Sequence, residues 1–283
     1  MGLQIHLRTF SHHITWMLGR RFRRAIPLTF VLGYPKSGTT WVCQLVADYL
    51  QLPFPRYSLL PIGFPAVVHG HELVSTKYPR GVYSIRDGRD AMVSRYFFLL
   101  RDVPEGDNPA MPPNLRRFFP KLRNKADVKE NLVPFLEEEF QRPRFGAHWG
   151  RHVASYVEAR HPKFVMLRYE DLLGNGPNGL DGPDTLAGAM SALTGDEPDR
   201  RRAELAIEKF SFDRQKKQKA GQDRKYLRKG GSGDWRNHFT KEAAELFDRY
   251  AGDMLLASGY EKDRSWVSEF VSGAPTARAE ATR

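Results

Sequence analysis

Tyr34-Pro35-Lys36-Ser37-Gly38-Thr39-Thr40-Trp41 is the stretch that decides the fold. It follows an apolar run, Leu28 to Leu32, that reads as a buried strand. It precedes Val42 to Leu50, whose apolar periodicity predicts a helix. A glycine-containing turn between strand and helix aims backbone N–H groups and a helix N-terminus at one spot, which makes an anion site. Gly33 and Gly38 have the spacing of the phosphate loop GxxxxGK(S/T), but Thr39 stands where that loop has its lysine, and Lys36 lies mid-loop. The cradle is kept and its cation is moved, which argues against an ordinary ATPase.

Outward from this loop, strands and helices alternate. Ala66 to His71, Gly81 to Arg86 and Lys163 to Arg168 are short apolar runs with strand character, while Phe145 to Arg160 and Thr240 to Ser258 read as helices. Short apolar strands separated by helices predict an α/β fold: a single domain with a central parallel β-sheet flanked by helices. There is no internal repeat and no interdomain linker; the Pro- and Gly-rich stretches Asp102 to Asn114 and Gly174 to Pro183 read as surface loops. The expected organisation is a basic N-terminal arm (1–27), one domain (28–265) and a flexible C-terminal tail (266–283). Ligands in such folds bind beyond the carboxyl ends of the strands.

With 283 residues the chain is long enough for one sizeable core, and its net charge of +11 suits a polyanionic ligand, nucleic acid or a membrane surface. The single cysteine, Cys43, excludes an intramolecular disulfide and reads as a small buried apolar residue. No apolar stretch approaches the roughly 20 residues of a membrane span. The arm has no acidic residue before Asp48 and mixes Arg8, Arg20, Arg21, Arg23 and Arg24 with Ile14, Trp16, Met17, Leu18 and Phe22. A secretory signal would place its basic residues before a longer apolar run. An interfacial amphipathic helix giving peripheral membrane contact, an organelle transit segment, and a basic cap packed on the domain all fit the arm. The expected location is cytoplasmic, with membrane association through the arm left open.

Two further segments match the loop's chemistry. Ser84-Ile85-Arg86-Asp87-Gly88-Arg89-Asp90-Ala91-Met92-Val93-Ser94-Arg95-Tyr96 reads as strand end, turn and helix start. Arg228-Lys229-Gly230-Gly231-Ser232-Gly233-Asp234-Trp235 is a basic, Gly-rich loop that runs on into a helix. In this order, the three segments resemble the nucleotide signature of the cytosolic-type sulfotransferases, which use 3′-phosphoadenosine 5′-phosphosulfate (PAPS). The resemblance runs from about Phe30 to Tyr260.

It implies a P-loop-like 5′-phosphosulfate-binding loop in which Ser37, Gly38, Thr39 and Thr40 hold the phosphosulfate and Lys36 is the catalytic lysine. A cation beside the bridging oxygen stabilises the charge that grows there as the S–O bond breaks. His71 aligns with the family's general base, for which a neutral imidazole is suited. His69, two residues earlier and on the same face, replaces a family lysine. Glu72 is the rival base, but strand alternation sends it to the opposite face. Arg86, Ser94, Arg228, Lys229 and Gly230 match the 3′-phosphate site; Trp41, Tyr169 and Phe212 match adenine contacts, with Phe210 where the family has a small polar residue.

The basic run from Arg214 to Lys229 leads into the 3′-phosphate loop and reads as a mobile lid. Tyr226 is its only aromatic and no nucleic-acid-binding motif is present, so nucleic acid is not expected as a partner. The resemblance therefore implies sulfuryl transfer from PAPS to a hydroxyl, or less readily an amine, leaving adenosine 3′,5′-bisphosphate and using no metal. A P-loop kinase using ATP and a non-catalytic nucleotide- or polyanion-binding module are the alternatives. The acceptor, a small molecule, lipid or glycan, is not specified; the Leu-, Pro- and Phe-rich stretch Gln51 to Val67 leans toward an apolar pocket, with His148 and Trp149 as substrate-side candidates. The family's dimerisation pattern corresponds to Arg236, Thr240, Lys241 and Glu245, where Lys241 puts charge at an apolar position and argues against that dimer.

Overall fold

The computed structural model describes residues 2–56, 58–144, 146–176, 179–218, 230–268 and 270. Its elements run α1 (Gly2–Arg21), β1 (Thr29–Gly33), α2 (Thr39–Leu50), β2 (Val67–Gly70), β3 (Gly81–Ile85), α3 (Gly88–Leu100), α4 (Val128–Gln141), α5 (Trp149–Ala159), β4 (Phe164–Arg168), α6 (Tyr169–Leu172), α7 (Gly182–Thr194), α8 (Arg200–Lys209), α9 (Phe212–Gln218), α10 (Lys241–Ala257) and α11 (Ser265–Ser268). Contacts divide the chain into two compact units, residues 1–86 with 154–231 and residues 87–153 with 232–283.

The first unit holds the sheet, whose order is β2-β1-β3-β4 with every pairing parallel. β1 and β3 are buried at every residue, as expected of strands covered on both faces. Val31, Val67, Val82 and Leu167 share one core with Val42 and Val46 of α2, Leu186 and Met190 of α7, and Ala203 and Ala206 of α8. The chain leaves β1 through α2 to reach β2 on one side, then crosses to β3 on the other. The carboxyl end of β1 is therefore the topological switch point, where such sheets open a ligand crevice. The first loop starts there, at Gly33.

The expected strands are found within a residue or two of their limits. The helix expected from Phe145 begins later, at Trp149, because Gly146 adopts a left-handed turn (φ 75°) three residues after Pro143; Phe145 itself lies outside the described residues. The arm is a helix whose inner face packs on the sheet unit. Trp16 is 5 % exposed and meets Phe30 edge-on at 4.8 Å, and Thr15 Oγ1 accepts the Ile62 N–H at 2.9 Å. This is the cap arrangement on that face.

The second unit is helical among its described residues. Arg95 of α3 makes a buried bidentate pair with Glu139 of α4 at 2.6 and 2.8 Å. Arg89 is bonded to Asp87 and Glu261, and its guanidinium lies 3.8 Å from the ring of Trp235 and 4.6 Å from that of Trp266. Trp266, at 2 % exposure, corrects the expected tail, which cannot begin at 266. The polar run Glu261 to Ser265 disguises this anchor in the sequence. Residues 271–283 lie outside the described residues.

Candidate active site

The loop after β1 is fixed by bonds to its neighbours. Ser37 N–H donates to the Tyr34 carbonyl at 3.1 Å, and Ser84 Oγ donates to the Ser37 carbonyl at 2.8 Å. Gly38 (φ 77°) opens α2 without a side-chain cap, so the first N–H groups of that helix keep their donor capacity for an anion. A Cβ at Gly38 would stand 2.6 Å from the Tyr169 ring, so glycine is needed there for space as well as for φ. Lys36 is also left-handed (φ 72°), a conformation that disfavours a long side chain. The hydroxyls of Ser37 and Thr39 are buried and bonded to no protein group. Polar atoms buried in this way cost stability unless a partner arrives, and two beside a helix N-terminus suit an anion's oxygens.

His71 Nδ1 lies 2.7 Å from the Gly33 carbonyl. A carbonyl can only accept, so Nδ1 carries the proton and the neutral ring has its lone pair on Nε2. The His69 ring stands edge-on to His71 at 4.6 Å, on the shared side that strand alternation predicts. Burial, with the charges of His71, Arg56 and His12 behind it, pushes the His69 pKa down to about 3. His69 is therefore neutral at physiological pH and does not supply the positive charge of the lysine it replaces. Glu72 pairs with His12 of α1 at 2.6 Å.

At the end of β3, Arg86 joins three pieces of the first unit. Its Nη1 donates to the Lys36 carbonyl at 3.3 Å, its Nη2 donates to the Gly231 carbonyl at 2.9 Å, and its guanidinium stacks 4.7 Å from the Tyr169 ring. Trp41 meets Tyr169 edge-on at 5.5 Å. Phe212 packs on Gly230, where a Cβ would stand 2.6 Å from the ring and φ is 72°. Lys36, Ser37, Gly38, Trp41, Arg86, Tyr169, Phe212 and Gly230 thus form a connected set in one unit, with Thr39 and Thr40 opening α2.

The remaining expected residues lie elsewhere. Arg228 and Lys229, and the expected lid beyond Gln218, fall outside the described residues; the lid's first part is helical, as α9. Ser94, His148 and Trp149 belong to the second unit. Ser94 lies buried on α3. His148 has its pKa lowered by burial and by Arg151, and packs against Phe140. Trp149 is wholly buried against Gly88 and Phe247, which makes it a core residue of that unit rather than an acceptor wall.

Asp90 was not singled out by the sequence reading. Its carboxylate accepts the Gly233 N–H at 2.6 Å and the Trp235 N–H at 2.9 Å, which fixes the turn that follows Gly230 and Gly231. No local pattern marks this role: an acid in a first turn ordinarily serves the N-terminus of its own helix, and here the backbone donors arrive from residues 233 and 235.

The chain matches the model of the sulfotransferase domain over residues 67–259, more than half its length. It is 24 % identical to a 3-alpha-hydroxysteroid sulfotransferase of Cavia porcellus, over 88 % of this chain and 90 % of that one. It is 27 % identical to sulfotransferase 2A2 of Mus musculus, over 77 % and 81 %. A flavonol sulfotransferase-like protein of Flaveria bidentis is 24 % identical over 87 % of both chains. Among solved structures, a mouse sulfotransferase complexed with PAP superposes with a TM-score of 0.55 at 21 % identity, covering 86 % of this chain and 88 % of the other. Retinol dehydratase in complex with androsterone and PAP gives 0.55 at 20 % identity, covering 81 % and 80 %. At these identities, the superpositions bear on the fold alone.

Proposed function

The chain belongs to the sulfotransferase family, and on that premise we propose that it transfers a sulfuryl group from PAPS to the hydroxyl of a small organic acceptor. The observation that carries the reading is the bond from His71 to the Gly33 carbonyl. It places a ring with Nε2 as its basic nitrogen at the root of the loop whose Ser37 and Thr39 hydroxyls are buried and unbonded. Base and anion cradle therefore share one residue. This family match also sets the kinase alternative aside.

PAPS bound there supplies the electrophile: the acceptor oxygen bonds to sulfur as the S–O bond to the phosphate breaks, the electron pair leaving on the 5′-phosphate. The protein's part is placement and charge. Ser37, Thr39 and the N-terminus of α2 hold the anion. Lys36, shaped by its left-handed backbone, faces the charge that develops on the leaving oxygen. His71 Nε2 takes the acceptor's proton, and Arg86 with Gly230 and Gly231 serves the 3′-phosphate. Trp41, Tyr169 and Phe212 form the adenine side. The small-molecule acceptor is supported by the names of relatives that act on hydroxysteroids and flavonols.

The test is transfer of labelled sulfate from PAPS to a panel of phenols and alcohols, with ATP and Mg²⁺ in a parallel arm. Sulfated product is the expected result; phosphorylated product alone would overturn the reading. The outward face of α1, where Phe10 is 61 % exposed beside Met17, Arg20 and Arg21, also supports peripheral contact with an anionic lipid surface. Sedimentation with phosphatidylserine vesicles, against phosphatidylcholine ones, tests that contact.

A further inference from the structure

From Met1 to His71 the chain has seven basic residues and a single acid, Asp48, which is bonded to Lys209. Two elements of this stretch turn apolar side chains to solvent. On α1, Leu7, Ile14 and Met17 join Phe10 in one stripe, within about 80° of arc at 3.6 residues per turn. Leu7, Phe10 and Met17 are exposed there, while Trp16, on the other side of the helix, is buried. The second element is the loop between α2 and β2, where Leu59, Leu60 and Phe64 are exposed.

The two elements form one surface. Ser11 and Thr15 lie between the outward stripe and the side of Trp16, and both are buried. Thr15 Oγ1 accepts the Ile62 N–H at 2.9 Å, so the loop is packed along that flank. Ile62 is turned in, at 7 % exposure, and Leu60 is turned out, at 76 %. The stretch Gln51 to Val67, expected to form an apolar pocket, therefore sends part of its apolar side chains to the surface. Large apolar side chains gathered on an exposed face and rimmed by charge mark a docking site. The rim is positive here: Arg20, Arg21, Arg23 and Arg24 are exposed at the end of α1 and just beyond it. A second copy of the chain would set this positive surface against itself, which like charges oppose. A bilayer with anionic headgroups suits both features, taking the apolar tips into its boundary and the guanidinium groups at its surface.

The same helix reaches the neighbourhood of the proposed base from its opposite side. His12 Nε2 lies 2.6 Å from Glu72 Oε1, and Glu72 follows His71. An α-helix with its side chains is about 10–12 Å across, so lipid against the outward stripe lies about one helix diameter from the end of β2. We propose that α1 and the loop 59–64 dock as one face on an anionic bilayer, and that the acceptor is an amphiphilic hydroxyl compound held in that bilayer. The acceptor half rests on the sulfotransfer reading; the docking half does not.

The experiment uses vesicles of equimolar phosphatidylserine and phosphatidylcholine, vesicles of phosphatidylcholine alone, and two acceptors. These are 4-dodecylphenol, dissolved in the vesicles, and water-soluble 4-ethylphenol. The native protein should sediment with the anionic vesicles, and Phe10→Asp and Leu60→Asp should each weaken that binding about tenfold or more. Both variants should keep native turnover of 4-ethylphenol and lose most of the turnover of 4-dodecylphenol. Should a variant fail to fold, Leu60→Cys carrying an environment-sensitive dye takes its place, since Cys43 is buried. Its emission should shift to the blue on the anionic vesicles. Native protein that stays in solution, variants that bind as the native protein does, or a dye that does not respond would each overturn the docking face. So would a native dimer in lipid-free solution that Leu60→Asp dissociates, because the face would then be an interface between copies. Turnover of 4-dodecylphenol that Phe10→Asp leaves intact would overturn the acceptor half. Vesicle binding without sulfation of either phenol would instead remove the sulfotransfer reading and leave the docking face standing.

Discussion

His71 Nδ1 is 2.7 Å from the carbonyl oxygen of Gly33, the last residue of β1 and the first of the loop proposed to hold the phosphosulfate. One bond therefore sets both the tautomer of the proposed base and its distance from the loop. If Nε2 removes the acceptor's proton, His71→Ala should abolish transfer to an aliphatic alcohol, whose proton is held tightly. With phenols of falling pKa the deficit should shrink, because the acceptor arrives partly ionised. Binding of adenosine 3′,5′-bisphosphate should survive. A rate series over acceptors of graded pKa decides it: an equal loss across the series would assign His71 to positioning.

Glu72, the rival base, follows β2 and is turned to His12. Burial alone would raise its pKa, but the hydrogen bond and charge of His12 outweigh this and hold the carboxyl below its ordinary value of 4.5. For a depressed carboxyl, the stabilisation is complete above the ordinary pKa and disappears as pH falls through the lowered one. The pair is more than a third exposed, so its worth is about 0.2–1 kcal/mol. Glu72→Gln should therefore lower Tm slightly at pH 6 and not at pH 2, with turnover nearly unchanged. A severe loss of turnover with the Tm unmoved would make Glu72 the base.

The legible parts of this molecule are those set by local pattern. Thr29–Gly33, Val67–Gly70 and Gly81–Ile85 are short apolar runs between turn residues, and period two placed His69 and His71 on one side. What stayed hidden depends on tertiary partners. No local signal shows that Asp90 receives two N–H groups from a loop more than a hundred residues away. Nor does composition show which face of the arm packs inward: Trp16 goes in and Phe10 stays out, although both are aromatic residues amid basic ones. The neutrality of His69 is likewise a product of its burial and not of its type.

Lys36 combines a charge with a left-handed backbone, and the two can be separated. Lys36→Gly removes the ammonium but relieves a conformation that costs a non-glycine residue about 1 kcal/mol. The variant should be as stable as the native protein or more so, while turnover falls by roughly 10²–10³. Lys36→Arg, which keeps the charge, should recover part of that loss. Chemical denaturation and steady-state rates on the same preparations check both halves; near-native turnover in Lys36→Gly would remove the lysine from the mechanism.

Asp90 offers the sharpest test of the 3′-phosphate assignment, because it touches the loop's backbone and needs no contact with nucleotide. With that site in place, adenosine 3′,5′-bisphosphate should bind at least about tenfold more tightly than AMP, since each charge-assisted contact contributes on the order of 1.5–3 kcal/mol. Asp90→Ala leaves the Gly233 and Trp235 N–H groups without their acceptor and releases the turn next to Gly230 and Gly231. The preference for the bisphosphate should then collapse toward one, while AMP, held by the first loop, loses little. Asp90→Asn keeps one acceptor oxygen and should give an intermediate ratio. Calorimetry with both nucleotides on both variants separates the outcomes. A lowered Tm with an unchanged ratio would confine Asp90 to structure, and equal affinities in the native protein would remove the 3′-phosphate site itself.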